Sequence, residues 1–200
     1  IIDSFGKAFT LPIHKLPSAR GQGDPVSSSI NSQSGSTFAG VVAGTEEDYC
    51  VLTANNGYGF IAKIEELQTK NKSGKTALNT KGAIPLGPEK LSSIEDSYIA
   101  AITEEGKMLL VEANDLPVLA KGRGNKIINI DKKRFEAKEN RLIFLKTLNK
   151  GDNLKIYSGK QSYMIKSKDL ENFVGSRGRK GNFLPKGYRR VDKLEVISEE

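Results

Sequence analysis

The sequence predicts an all-β chain folded as a propeller-like array of about four blades, each of roughly 50 residues. Three observations predict it. A turn glycine and a later leucine recur with one period along the chain, short apolar runs end at those glycines, and no segment keeps helical spacing over several turns.

The repeats align as Ser4-Phe5-Gly6-Lys7, Asn55-Asn56-Gly57-Tyr58, Glu104-Glu105-Gly106-Lys107 and Tyr157-Ser158-Gly159-Lys160, followed by Leu16, Leu67, Leu116 and Leu170. The glycines lie 51, 49 and 53 residues apart and the leucines 51, 49 and 54, so two landmarks keep the same period. One domain over 1–200 is expected, with units at about 1–49, 50–98, 99–150 and 151–200. In each unit an outgoing apolar run such as Val51-Leu52-Thr53-Ala54 or Ile99-Ala100-Ala101-Ile102 meets the glycine turn. The return arms are Phe60-Ile61-Ala62-Lys63-Ile64, Met108-Leu109-Leu110-Val111 and Tyr163-Met164-Ile165, a hairpin pattern. Each landmark leucine then reads as a plug under its hairpin. The first unit reads as starting in mid-hairpin with its upstream partner strand missing. The chain opens on Ile1-Ile2 without an initiator Met, so a fragment of a longer protein and an incomplete or open ring are expected.

Charge is distributed in phase with the repeat. Of the net +7, residues 141–200 hold 14 basic and 7 acidic side chains, whereas residues 1–49 hold 3 and 5. After each landmark leucine comes a stretch of glycine and basic residues with no acid. These are Arg20-Gly21-Gln22-Gly23, Lys70-Asn71-Lys72-Ser73-Gly74-Lys75, Lys121-Gly122-Arg123-Gly124-Asn125-Lys126 and Ser176-Arg177-Gly178-Arg179-Lys180-Gly181. The last continues through Lys186, Arg189 and Arg190 without an acid until Asp192. One such loop alone is best read as a solvated face. Four in phase point instead to a sequence-independent track for phosphates. Lys and Arg would supply charge, and glycine would allow close approach and free its N–H groups. The candidate contacts are Arg20, Lys70, Lys72, Lys75, Lys121, Arg123, Lys126, Arg177, Arg179, Lys180, Lys186, Arg189 and Arg190.

These loops also carry a family resemblance. The stretch Leu16-Pro17-Ser18-Ala19-Arg20-Gly21-Gln22-Gly23-Asp24-Pro25, the Gly57-Tyr58-Gly59-Phe60 turn, and the loops at 70–75, 121–130 and 175–181 resemble, in order, the C-terminal domain of the topoisomerase IV ParC subunit. That resemblance implies a β-pinwheel, in which propeller-like blades exchange strands and a basic rim binds and bends duplex DNA. It implies a role in decatenation and supercoil relaxation during chromosome segregation, in a cytoplasmic, nucleoid-associated enzyme that could also lie peripherally at the inner face of the cell membrane. The catalytic tyrosine and the ATPase lie elsewhere in that family. No cofactor is therefore expected here, while the whole enzyme would use ATP and Mg through other domains. The implied partners are duplex DNA, the rest of the ParC subunit and the separate ATPase subunit of a heterotetramer, with the isolated fragment monomeric. The family member commonly has about five blades. The related gyrase A tail, which wraps DNA, is marked by a Gln-Arg-Arg-Gly-Gly-Lys-Gly string that this chain lacks. Arg177-Gly178-Arg179-Lys180-Gly181 matches it in composition only.

Other signals are weaker. A kelch-like interaction propeller shares the period, but its repeats carry Trp and this chain has none. Gly74-Lys75-Thr76 imitates the end of a nucleotide-binding loop, yet Thr69 stands where the first glycine belongs. Tyr188-Arg189-Arg190 reads as a strand tyrosine beside a phosphate-binding pair rather than a nucleophile. His14, the single histidine, reads as a polar strand-end or phosphate-facing side chain and excludes a histidine metal cluster. Cys50, the single cysteine, sits in an apolar run and reads as a buried thiol. Glu65-Glu66 and Glu104-Glu105 read as solvated turn acids. No apolar run approaches the 18 residues that suggest a membrane helix.

Overall fold

In a computed structural model that describes residues 1–18 and 20–198, the strands assemble into four antiparallel sheets. Ala19, in the Leu16–Pro25 stretch, lies outside the described residues. Each sheet is built on one glycine-turn hairpin: Ile2–Asp3 with Lys7–Ala8, Tyr49–Thr53 with Tyr58–Lys63, Ser97–Thr103 with Lys107–Glu112, and Asn153–Ser158 with Gln161–Ile165. The outgoing arm pairs with a later strand of its own unit, respectively Phe38–Gly40, Glu89–Leu91, Leu142–Asn149 and Lys193–Ile197. The first unit is thus a complete hairpin. Ile2–Asp3 is the partner arm of Lys7–Ala8, which corrects the expectation that this partner is missing.

The fourth strand of a blade comes from the next unit. Lys75–Thr76 lies on Lys7–Ala8, Asn125–Lys126 on Tyr58–Gly59, and Asn182–Phe183 on Lys107–Met108. Each borrowed strand is also pinned to the preceding turn glycine. The N–H groups of Leu78, Ile127 and Leu184 donate to the carbonyls of Gly6, Gly57 and Gly106 at 2.9, 2.8 and 2.9 Å. At Gly57 the backbone has φ +82°, and a Cβ would stand 2.6 Å from the Ile128 carbonyl oxygen. Only glycine satisfies both demands.

The core lies between blades. Cys50, Leu52, Phe60 and Ala62 face the first blade, whereas Val51 and Ile61 face the third. Ile99 and Ala101 face the second blade, and Ala100 and Ile102 the fourth. A sheet covered on both faces needs no polar alternation, which is why these strands read as continuous apolar runs. The fourth blade differs. Leu154 and Ile156 are buried against the third blade, while Lys155 and Tyr157 on the opposite face remain partly exposed. One face of this sheet is uncovered, so the array is open, not closed. Blades two and three are further joined by Lys146 to Glu89 at 2.6 Å and by the Thr147 hydroxyl donating to the Lys90 carbonyl at 2.6 Å.

Short helices at Ile64–Leu67, Ala113–Asp115 and Ser167–Leu170 deliver the landmark leucines, and Leu67, Leu116 and Leu170 are buried. Leu16 departs from that pattern. It follows the Ile13–Lys15 helix at 51% exposure, so it is not a plug. His14 belongs to the same exposed 3-10 helix and to no strand. Among the described residues no helix is long and apolar enough to cross a membrane.

Candidate nucleic-acid interface

The borrowed strands decide where the basic loops lie. Each of the loops at 70–75, 121–126 and 176–181 leads directly into an edge strand of the preceding blade, so it runs along that blade's outer border. Their last glycines share one backbone conformation: Gly74, Gly124 and Gly181 have φ of +69°, +72° and +71°, and Gly23 of the first loop has +74°. In the later three the chain passes so close to the preceding blade that a Cβ would clash. It would stand 2.7 Å from the Phe9 ring at Gly74, 1.9 Å from the Gly59 carbonyl oxygen at Gly124, and 2.4 Å from the Met108 carbonyl oxygen at Gly181. Gly23 has nothing within 4 Å. The Arg20 loop therefore stands clear of the sheets, with Arg20 exposed.

The segment that follows each of the first three loops is also linked to the next loop by main-chain bonds. The N–H groups of Asn31, Asn79 and Asn129 donate to the carbonyls of Lys72, Gly122 and Arg179 at 2.8, 2.7 and 2.8 Å. Two return bonds run from Gly122 to Ala77 at 2.9 Å and from Gly178 to Ile127 at 2.7 Å. Each of these asparagines follows a buried Ile30, Leu78 or Ile128. In the fourth unit Pro185 follows the buried Leu184 and has no N–H to give, so the series stops there. The expectation that loop glycines free their N–H groups for a ligand needs correction at four of them. The N–H groups of Gly21, Gly74, Gly122 and Gly178 all donate to protein carbonyls. Close passage of the chain is what Gly74, Gly124 and Gly181 supply.

The side chains present unneutralised charge. Of the thirteen candidate cations, only Arg190 has a carboxylate within 4.0 Å among the described residues, Asp192 at 3.9 Å. Of the eighteen other Lys and Arg residues, nine are ion-paired with described residues, namely Lys63, Lys90, Lys107, Lys132, Arg134, Arg141, Lys146, Lys150 and Lys193. The loops therefore concentrate the cations whose charge is free to meet an outside anion. Lys75, Arg123 and Lys126 are partly buried and the other ten are exposed. A cleft of about 650 Å³ opens beside the last loop, with Asn129, Gly175, Arg179, Lys180 and Asn182 in its wall.

Two expectations about neighbouring residues change. Glu104 and Glu105 are partnered rather than free, with Arg141 on Glu104 at 3.0 Å and with Arg134 and Lys107 on Glu105 at 2.6 and 3.2 Å. Burial pushes the Glu105 carboxyl up, but the hydrogen bonds and charges of Arg134 and Lys107 outweigh it and hold the group below its ordinary range. Likewise Lys63 takes Glu65 at 3.1 Å. Tyr188 lies in a turn closed by its N–H donating to the Pro185 carbonyl, not in a strand, and its ring packs on Tyr163 at 5.1 Å. Sequence reading also missed two aromatic rings. The Arg123 guanidinium carbon lies 3.7 Å over the Tyr58 ring and that of Arg189 lies 4.3 Å over Phe183.

Comparison with known proteins agrees with this architecture. A profile for the family described as DNA gyrase C-terminal domain, beta-propeller, matches residues 48–83 and 97–136. The DNA topoisomerase 4 A subunit of Pseudomonas aeruginosa is 43% identical over 98% of the chain, and that of Haemophilus influenzae 39% over 98%. The chain spans about a quarter (26%) of the length of these relatives. The solved C-terminal domain of E. coli ParC superposes with a TM-score of 0.86 at 32% identity, over 99% of this chain and 80% of that one. A solved DNA gyrase A C-terminal domain shares the fold, with a TM-score of 0.74 at 13% identity over 100% of this chain and 65% of that one.

Proposed function

This chain belongs to the family of topoisomerase IV ParC C-terminal domains, and from that premise we propose that its blade-edge loops bind and bend duplex DNA to set substrate choice in decatenation and supercoil relaxation. The observation that carries the reading is the run of cations without ion pairs among the described residues, on loops that main-chain bonds tie to the segment following the loop before. An electrostatic track of this kind reads phosphates rather than bases. A curved array of blade borders would bend a duplex laid along it, and the added phosphate contacts along the rim would offset the cost of bending. We assign the chemistry of strand passage, with its ATP and Mg, to other parts of the enzyme. There a heterotetramer with the ATPase subunit would act in the cytoplasm on the nucleoid, or peripherally at the inner face of the cell membrane.

The test is DNA affinity over a salt series for the wild-type chain and for Arg177→Glu/Arg179→Glu/Lys180→Glu. A second triple variant, Lys160→Glu/Lys166→Glu/Lys168→Glu, makes the same charge change on cations outside the loops, all three of them exposed. With about six phosphates contacted, log affinity falls against log salt at a slope of roughly −5, and losing three contacts brings this to roughly −3. Between 50 and 200 mM salt, wild-type binding then weakens roughly 1,000-fold and the loop variant roughly 60-fold from a lower start. Equal behaviour of the two triple variants would mean that net charge alone drives binding, and the track reading would fall.

A further inference from the structure

We infer that the track contains two fixed phosphate anchors, Arg123 held on Tyr58 and Arg189 held on Phe183, and that these two rings are positioning residues for DNA. The inference rests on the DNA-binding reading above and divides its cations into held and mobile ones.

The Tyr58 anchor is built from two units. Tyr58 is the first residue of the second blade's return arm, and its Cα partner on the borrowed strand is Lys126. The Arg123 guanidinium carbon stacks at 3.7 Å on the ring and the Lys126 ammonium stands at 5.6 Å. Arg123 Nε is buried and has no hydrogen-bond partner among the described residues, and none of their carboxylates lies within ion-pair reach of the guanidinium. The ring face alone stands in for the acceptors that a guanidinium usually finds in protein. The Nη groups are neither buried orphans nor engaged, so they remain open to solvent. Such a group is oriented in advance, uncompensated in charge, and short of acceptors. Those are the conditions under which a planar fork takes a phosphate.

The third blade repeats the device with its parts exchanged. At the equivalent pair of positions the lysine is on the return arm, Lys107, and the ring is on the borrowed strand, Phe183. Lys107 stands 4.7 Å over that ring and Arg189 stacks on it at 4.3 Å. Here the Arg189 Nε donates to the Leu184 carbonyl at 3.2 Å. The Arg189 backbone also sits against Gly106, where a Cβ would come within 2.5 Å of it. Lys107 is neutralised by Glu105 at 3.2 Å, which leaves Arg189 as the cation this ring presents to an anion. In the first blade the same two positions hold Lys7 and Thr76, with no ring. Lys70, Lys72 and Lys75 therefore have no platform, and they add charge without a fixed direction.

A double-mutant cycle on the chain, read by binding to a fluorescent duplex about 30 base pairs long, tests the proposal. Arg123→Ala is expected to weaken binding about 10-fold and to reduce the salt slope by about one, as the loss of a phosphate contact does. Tyr58→Leu keeps every charge, so the slope stays unchanged while affinity drops about 3- to 5-fold, the size of a lost cation–π contact. Combined, the two changes should weaken binding no more than about twofold beyond Arg123→Ala alone, because the ring acts through the arginine. Tyr58→Phe keeps the ring and is expected to bind like wild type. Arg123→Lys keeps the charge and the slope but loses the stacked fork, and should bind about threefold more weakly even if Tyr58→Leu proves poorly folded. Multiplicative losses in the double variant, or wild-type affinity for both Tyr58→Leu and Arg123→Lys, would overturn the anchor. If that happened while Arg177→Glu/Arg179→Glu/Lys180→Glu still lost affinity, the track would stand without fixed anchors. If no loop variant lost affinity, the track itself would fail.

Discussion

Alanine at the four equivalent loop glycines should separate the cost of a backbone conformation from the cost of strand exchange. Gly23, Gly74, Gly124 and Gly181 have φ between +69° and +74°, so each Gly→Ala change meets the same left-handed penalty of about 1–2 kcal/mol. Loss of unfolded-chain entropy returns roughly 0.4–1 kcal/mol of this. At Gly23, with open space around the new Cβ, the net change should be about 1 kcal/mol or less. At Gly124 the Cβ would stand 1.9 Å from the Gly59 oxygen and 2.3 Å from its carbon, and neither backbone atom can step aside as a side chain could. The borrowed strand must lift by about 1 Å to restore a contact of roughly 3 Å, a separation below which real Cβ contacts essentially do not occur. Lifting breaks the Asn125–Lys126 ladder and the Ile127 N–H bond to Gly57, two or three hydrogen bonds at about 1 kcal/mol each. It also loosens Ile127 and Ile128, both fully buried.

Gly124→Ala should therefore cost at least about 3 kcal/mol, among the large values for a single change. Gly181→Ala should be similar, because it meets the Met108 backbone at 2.4 Å. Gly74→Ala should fall between, since its nearest neighbour is the Phe9 ring, which can turn away. Urea denaturation of the four variants gives the ranking directly. If Gly124→Ala and Gly23→Ala agreed within about 0.5 kcal/mol, strand exchange would not be what these glycines permit.

Three further outcomes follow from the same structure. Burial pushes the Cys50 thiol up to about 12, so the native chain should resist a thiol reagent at pH 8 and react only when denatured, as read by mass spectrometry. The Glu105 carboxyl is held below its ordinary range, so its ion pairs stabilise the fold at neutral pH and are lost as pH falls through that lowered value. Glu105→Gln should therefore lower the melting temperature at pH 7, by an amount that shrinks as the pH is lowered through the acid range, in melting curves taken across pH. Leu67→Ala should cost about 2–4 kcal/mol by opening a cavity, whereas Leu16→Ala should stay within about 0.5 kcal/mol, as urea midpoints will show.

The period was legible because each unit must supply the same hairpin, so Gly57 and Gly106 sit at equivalent turns. The open end also has a signal in the residues, one that gains its meaning only beside the fold. Asn153-Leu154-Lys155-Ile156-Tyr157 alternates where Cys50-Val51-Leu52 and Ile99-Ala100-Ala101-Ile102 do not, and alternation marks a sheet with one bare face. Strand exchange was not legible. Borrowed strands such as Asn125–Lys126 and Asn182–Phe183 are two residues long, too short for a periodic signal, and their partners lie far away in sequence, on Tyr58–Gly59 and Lys107–Met108. The Arg123–Tyr58 contact depends on that same pairing. The contrast between Arg177, without an ion pair among the described residues, and the paired Arg134 was not legible either, since Glu105 lies 29 residues from Arg134.

Exchange has a consequence for how the domain can vary. The loop backbones join one blade to the next, through the bonds from Asn79 to Gly122 and from Asn129 to Arg179, while the exposed side chains of Arg177, Arg179 and Lys180 make no ion pair with a described residue. Assembly is therefore written in the glycines and main-chain contacts, and the proposed DNA affinity in the side chains they carry. Side-chain charge could be tuned from loop to loop at little cost in stability, within roughly ±0.5 kcal/mol for an exposed position. That independence fails at Arg123 and Arg189, whose guanidinium groups stack on rings belonging to the exchanged sheets. At these two positions a change in DNA affinity and a change in blade packing should appear together.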